Sequence, residues 1–232
     1  MEILCTICAR GGSKGVPNKN IRKLNGLPLI EHTIKDAQNL GKASEIVVST
    51  DDKEIADIAK KAGALVRFLR PEELARDDAP KVPAIQHAVS FMEEKLEKKY
   101  DLILDLDPTA PLRKVKDIEK AIKIAINEDV DDVFSVCEAD KNPYFNMVEL
   151  DKENYAYLSK NIDKKIVGRQ KAPEVYEMNA SIYVYWRNYL MNNDEVISNK
   201  SKVVVMPPER SVDIDREIDF KFVEFLMNYE EE

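Results

Sequence analysis

Ile3-Leu4-Cys5-Thr6-Ile7-Cys8-Ala9, followed at once by Arg10-Gly11-Gly12-Ser13-Lys14-Gly15-Val16-Pro17-Asn18-Lys19-Asn20, opens the chain with an apolar strand that runs into a basic, glycine-rich loop. Three of the 7 glycines in the chain crowd this turn, where missing Cβ atoms let backbone N–H groups approach a ligand. The formal charge of the whole chain is -8, yet residues 1–25 carry Arg10, Lys14, Lys19, Arg22 and Lys23 against Glu2 alone. Positive charge therefore gathers where the backbone is most open, which suits phosphate. The loop is not a Walker A sequence, because Lys14-Gly15-Val16 stands where Gly-Lys-Ser/Thr is required. Nor is it a dinucleotide fingerprint, since Gly11-Gly12-x-x-Gly15 leads to Pro17 and more loop rather than a helix. What remains is a long basic loop after a first parallel strand, the place where open α/β sheets bind ligands.

Outward from this loop, apolar runs and helical periodicity alternate in order, as in an α/β fold with a mostly parallel sheet flanked by helices. Pro28 opens a helix that Gly41 closes, Glu45 to Ser49 reads as a second strand, and Asp51-Asp52 caps a helix from Lys53 to about Ala62. Leu65 to Leu69 reads as a third strand ending at Arg70-Pro71, and a helix follows from Val82 to Lys98. Leu102 to Leu106 is a strand, Val115 to Asn127 a helix and Val133 to Val136 a strand. The alternation then breaks. From Glu138 to Pro173 the composition shifts to tyrosine, asparagine and charge, in short alternating stretches that fit a hairpin excursion or arm. Ser181 to Trp186 and Val203 to Val205 restore strands, and Ile218 to Met227 forms a closing amphipathic helix.

At 232 residues, one main domain with room for a small appendage is expected, without an internal repeat. No apolar stretch approaches membrane-spanning length, and no secretory leader pattern precedes the first strand, so the cytoplasm is the expected compartment. Cys5, Cys8 and Cys137 are odd in number; Cys5-x-x-Cys8 has no second pair and lies in a strand whose residues three apart face opposite sides, as buried small hydrophobes. The acidic balance argues against nucleic acid, which rewards extended basic surfaces. His32 and His87 both sit in helical patterns, which gives little support to histidine-based metal sites or triads.

Two carboxylate pairs carry chemistry. Asp213 and Asp215, in Ser211-Val212-Asp213-Ile214-Asp215, fall on one side of an extended chain and form a cation clamp, with Mg²⁺ the natural occupant beside a phosphate-cradling loop. Asp215 also precedes a helical run and could cap it. Asp105-Leu106-Asp107-Pro108-Thr109 resembles the nucleophile motif of haloacid dehalogenase-like phosphatases, in which the first Asp attacks phosphorus and the second is a general acid. That motif normally ends the first strand of its domain, and a phosphatase would leave the basic loop unexplained.

Taken in order, Ala9-Arg10-Gly11-Gly12-Ser13-Lys14-Gly15-x-x-x-Lys19-Asn20, Val48-Ser49-Thr50-Asp51, Leu69-Arg70-Pro71-x-x-Leu74-Ala75, Pro108-Thr109-x-Pro111-Leu112-Arg113, Arg169-Gln170, Asn179-x-x-Ile182-Tyr183 and Ser211-x-Asp213-Ile214-Asp215 resemble the acylneuraminate cytidylyltransferases, the CMP-sialic acid synthetases and their relatives. The resemblance implies an α/β nucleotidyltransferase fold, CTP and a nine-carbon keto-sugar (nonulosonic) acid as substrates, Mg²⁺, pyrophosphate as product, and a homodimer formed by the arm at 138–173. It also implies roles. Arg10 and Lys14, with Gly11, Gly12 and Ser13, would hold the triphosphate; Lys19 would add charge, Asn20 a polar contact, and Arg70 and Lys81 would lie on the nucleotide side. Asp213 and Asp215 would carry Mg²⁺. Asp107, Arg169, Gln170, Glu177 and Asn179 would face the sugar, Arg169 toward its carboxylate. Three positions depart from the family's usual residues: Asp107 for Gln, Glu177 for Arg and Lys81 for Ser. The first two belong to the sugar pocket and point to a relative such as legionaminate rather than N-acetylneuraminate. A 3-deoxy-manno-octulosonate cytidylyltransferase and a non-catalytic sugar-nucleotide binding protein are the alternatives.

Overall fold

In a computed structural model, which describes residues 1–162 and 168–229 apart from the side chain of Arg169, Ile3–Cys8 forms β1, buried on both faces. Ile3, Cys5 and Ile7 join one apolar cluster and Leu4 another, so the period-2 alternation of the strand feeds two cores. The chain continues through a 3-10 turn at Lys19–Ile21 and a short hairpin of β2 (Lys23–Leu24) and β3 (Leu27–Pro28) into α1 (Leu29–Leu40), closed by Gly41 as expected. β4 (Glu45–Ser49) leads to α2 (Lys53–Lys61), where Asp52 Oδ1 accepts the N–H groups of Glu54 and Ile55 at 2.7 and 3.1 Å. α3 (Lys81–Leu96), β5 (Leu102–Leu106), α4 (Val115–Asn127) and β6 (Asp132–Glu138) follow within a few residues of their expected bounds.

The arm is a small hairpin, β7 (Val148–Leu150) with β8 (Ala156–Leu158). β9 (Tyr176–Trp186) begins five residues earlier than its sequence reading, and α5 (Arg187–Leu190), β10 (Ser201–Val205) and α6 (Glu217–Tyr229) complete the chain. The stretch Leu65–Leu69 does not form the expected third strand. It makes a single bridge, Leu65 beside Val47, because Phe68 then packs against His87 and Phe91 of α3 while the Arg70 N–H donates to Thr50 O at 2.7 Å.

The sheet order is β10-β6-β9-β5-β1-β4, with parallel pairing everywhere except at β9, which runs antiparallel to both neighbours. α1, α2 and α4 cover one face and α3 with α5 the other. Cys5 and Cys8 fall on opposite faces, as read from their spacing. Between Phe134 and Val136 the β6–β9 register shifts, and β9 bulges through Asn179 to Ile182 with Ala180 at a φ of 50°. Ser135 fills the gap: its hydroxyl donates to Asn179 Oδ1 at 2.6 Å and accepts the Ile182 N–H at 2.9 Å. Among the described residues no helix is long and apolar enough to cross a membrane.

Candidate active site

The loops leaving the C-terminal ends of β1 and β5, with the segment before α3, enclose a cleft of about 400 Å³. Arg10, Ser13, Lys14, Lys19 and Asn20 line it from the basic loop, and Arg70, Lys81 and Asp107 line it from the other side. Gly12 turns this loop with a φ of 67°. The Gly11 N–H is already engaged, donating to Asp51 Oδ1 at 2.9 Å. Asn20 is buried; its Nδ2 donates to Arg10 O at 2.9 Å, while its Oδ1 has no partner among the described residues. Arg70 is likewise buried and is fixed on the end of β4, donating to Ser49 Oγ at 3.0 Å and Ser49 O at 2.5 Å.

Arg10 and Lys14 meet an anion from their own chain. Arg10 lies 2.5 Å from Asp77, and Lys14 pairs with the other oxygen of the same carboxylate. The two cations hold the Asp77 carboxyl below its ordinary range, with the Lys14 contact the larger cause. Nothing in the sequence pattern pointed to Asp77.

The pair Asp213 and Asp215 is stapled to this loop. A Cβ at Gly15 would collide with the backbone carbonyl oxygen of Asp215, so glycine there permits the contact. Lys19 Nζ donates to Ile214 O at 2.5 Å and lies 3.3 Å from Asp215 Oδ1, while the Ile214 N–H donates to Thr109 O at 2.9 Å. Ile214 itself is buried with Val16, Leu24 and Phe220, which leaves the flanking carboxylates on the opposite side of the strand-like segment. In the helix that follows, Asp219 Oδ2 reaches back to accept the N–H groups of Arg216 and Asp215 at 2.8 and 3.2 Å, the in-helix half of a capping box. The Asp215 carboxylate is not used as a cap among the described hydrogen bonds. Burial pushes the Asp213 carboxyl up, against the Thr109 hydroxyl that lowers it, and Asp213 Oδ1 is buried without a hydrogen-bond partner. An orphaned acceptor beside a second, largely exposed carboxylate fits a divalent cation that completes its shell with water and phosphate oxygens. Among the described residues no group of three or more His, Cys, Asp or Glu side chains forms a fuller metal cage.

The second carboxylate pair divides. Asp105 is fully buried, accepts the Thr6 hydroxyl at 2.7 Å and lies 2.8 Å from Lys81 Nζ. A carboxylate sealed in this way cannot reach phosphorus, which disfavours the phosphatase reading. Asp107 lines the cleft; burial alone would raise its carboxyl, but Lys81 and the donors of Thr109 outweigh that and hold it below the ordinary value. Arg113, buried and unassigned from sequence, donates to Asp107 O, to Ser181 Oγ at 3.0 Å and to Thr33 Oγ1 at 3.0 Å, and so fixes the turn that carries Asp107.

Asn179, Glu177 and Gln170, read as sugar-side residues, are not brought to this cleft. Asn179 is internally satisfied, accepting from Ser135 and donating from Nδ2 to Ser211 Oγ at 2.9 Å, a bolt between β9 and the Asp213 segment. Glu177 lies exposed on β9 and accepts the Asp140 N–H at 2.9 Å. Gln170 borders a separate groove with Glu138, Asn142 and Pro173, and the side chain of Arg169 lies outside the described residues. Neither histidine lines the cleft, and burial pushes the thiol of Cys8, which does, up to about 12, so it is no nucleophile.

A doubly covered α/β sheet, a cationic loop at its carboxyl end and a nearby carboxylate pair form an arrangement suited to nucleotidyl transfer. The chain belongs to the cytidylyltransferase family, whose sequence model matches residues 4–227. It is 45% identical over 227 residues to the CMP-N,N'-diacetyllegionaminic acid synthase of Campylobacter jejuni, covering 98% of this chain and 95% of that one. It is 43% identical over 226 residues to the post-translational flagellin modification protein B of Campylobacter coli, covering 97% and 95%. The fold matches a solved CMP:2-keto-3-deoxy-manno-octonic acid synthetase complexed with CTP, with a TM-score of 0.70 at 17% identity over 99% of this chain and all of the other. At that identity the match speaks for the fold alone.

Proposed function

We propose that this cytidylyltransferase joins CMP from CTP to the anomeric hydroxyl of a nonulosonic acid. The observation that carries the proposal is the contact at Gly15, which sets Asp215, a residue of the cleft lining, against the basic loop, with Asp213 two residues before it outside that lining. The hydroxyl oxygen forms a bond to the α-phosphorus, the bond from that phosphorus to the bridging oxygen breaks, pyrophosphate departs and the hydroxyl proton passes to solvent. Arg10 and Lys14 exchange Asp77 for the triphosphate, Lys19 holds the Asp215 segment in place, and Asn20 offers its open Oδ1 to a donor on the nucleotide. No covalent intermediate is needed, since positioning and charge stabilisation suffice for phosphoryl chemistry of this kind. Mg²⁺ held by Asp213 and Asp215 would neutralise charge on the α-phosphate and the departing pyrophosphate.

The sugar is proposed to be a diamino-type acid such as legionaminate. Asp107 presents an acceptor that pairs with an acetamido N–H, and the 45%-identical relative is named for N,N'-diacetyllegionaminic acid. Glu177 lies outside this cleft, so the preference rests on Asp107. The 3-deoxy-manno-octulosonate alternative is not favoured, its support being a likeness of fold. The arm is proposed to pair two copies, on the strength of Val148, Leu150, Tyr155 and Tyr157 exposed along it, and the three free cysteines fit the cytoplasm. Incubation with CTP, Mg²⁺ and a panel of sugar acids is expected to release pyrophosphate, with a higher kcat/KM for N,N'-diacetyllegionaminate than for N-acetylneuraminate. Silence with every nonulosonic acid would refute the activity, and a preference for N-acetylneuraminate would refute the sugar assignment.

A further inference from the structure

Lys81 lines the cleft, and the resemblance implies a place on its nucleotide side, but its ammonium is directed at two carboxylates. Nζ lies 2.8 Å from Asp105 Oδ2, 3.1 Å from Asp107 Oδ2 and 4.2 Å from the centre of the Tyr183 ring. An ammonium has three N–H donors, so two carboxylates and one aromatic face account for its hydrogen-bonding capacity. Its charge is shared between two acids, and the triad as a whole is anionic, which makes it a poor partner for a phosphate. Asp107 is equally constrained. Its Oδ1 accepts both the Thr109 N–H at 3.2 Å and the Thr109 hydroxyl at 2.9 Å, and its backbone carbonyl is held by Arg113. A carboxylate accepts about four hydrogen bonds. With Lys81 on Oδ2, one acceptor position remains, on an oxygen of a side chain that is 21% exposed and borders the cleft.

We propose that Lys81 is a positioning residue that makes no contact with the nucleotide and fixes Asp107 so that a single acceptor site is presented to a hydrogen-bond donor on the sugar acid. Lys81 and Asp107 then act as one unit of specificity, and Asp105 is the buried counter-charge that keeps the ammonium from turning toward the triphosphate. The inference rests on the cytidylyl-transfer reading above.

The test is a double-mutant cycle in the full chain with Asp105 left in place, because Asp105 is what holds the ammonium away from the triphosphate. Lys81→Ser, Asp107→Gln and the pair are compared by KM for N,N'-diacetyllegionaminate, by kcat, and by the CTP dissociation constant from calorimetry. Lys81→Ser is expected to raise the sugar KM by about tenfold or more with CTP affinity within about twofold, the scale of one misplaced hydrogen bond. The double variant should be no worse than the poorer single one. Urea melts identify any variant that fails to fold, and Lys81→Arg, which keeps the charge but not the compact ammonium, should fold and still raise the sugar KM. CTP affinity falling as much as sugar affinity, or additive effects in the cycle, would overturn the proposal. A parent chain that turns over no sugar acid would instead overturn the activity itself, and this inference with it.

Discussion

On the cation-binding role proposed above, Asp213 and Asp215 are the residues on which the reaction most directly depends. Asp213→Ala and Asp215→Ala are each expected to lower kcat by about 10² or more with the circular dichroism spectrum unchanged, the scale of losing a charge-stabilising cation. Because no α6 N–H donates to the Asp215 carboxylate among the described hydrogen bonds, Asp215→Ala should not incur the roughly 1 kcal/mol that loss of an N-cap costs. Thermal unfolding beside turnover separates the two roles. Both carboxylates were legible in the sequence, since period-2 spacing around one apolar residue is a local pattern. Asp77 was not, for the opposite reason: it reaches Arg10 and Lys14 from a segment distant in sequence, and a lone aspartate in a loop has no pattern to read. Arg113 stood in a quoted motif without a role, because what it holds is a backbone carbonyl and two hydroxyls on three other segments.

Among the elements, α3 is tied to the strand-to-helix junction of β9 and α5 by Glu93. This nearly buried carboxylate takes Arg187 through two bonds of 2.7 and 2.8 Å and Lys99 at 2.6 Å. Burial alone would raise its pKa, but Arg187, Lys99 and the Tyr100 N–H prevail and bring it down to about 2. A carboxyl lowered on folding stabilises fully above its unfolded value near 4.5, and that contribution is lost as pH falls toward 2. Glu93→Gln should therefore cost about 2–3 kcal/mol at pH 7 and flatten the acid limb of the stability curve, as read by urea unfolding at pH 7 and near pH 3. Helices and buried strands were legible because each writes its period locally. The reversed direction of β9 was not, because strand polarity depends on which neighbour is found, not on the residues within the strand. Leu65–Leu69 misled for a related reason: it has the composition of a strand, but beyond the one bridge at Leu65 the side chain of Phe68 packs on His87 and Phe91 of α3, a contact distant in sequence.

For the whole molecule, the arm is the feature that a single chain leaves unexplained. Its hairpin and the start of β9 expose Val148, Leu150, Tyr155, Tyr157, Tyr176 and Met178, more apolar surface than one small excursion can bury by itself. Sedimentation of the intact chain at micromolar concentration is expected to show two-chain particles. A chain in which residues 144–160 are replaced by a short glycine-serine link should sediment as a monomer with the six-stranded sheet intact. Equal sedimentation of the two would mean that the apolar arm serves another purpose.

The Asp77 clamp gives the cleft an unusual relation to dissolved ions. Since Arg10 and Lys14 already carry an internal counterion, a triphosphate received by them as proposed above would swap one anion for another rather than neutralise bare charge, and fewer solution ions would be exchanged in the process. The plot of log Kd for CTP against log salt should accordingly be shallow in the native chain and steeper in Asp77→Asn. That variant should bind CTP more tightly in dilute buffer and lose its advantage by about 0.5 M salt, where screening falls to a few ångströms. An enzyme built this way would keep a nearly constant affinity for its nucleotide while the ionic composition around it changes.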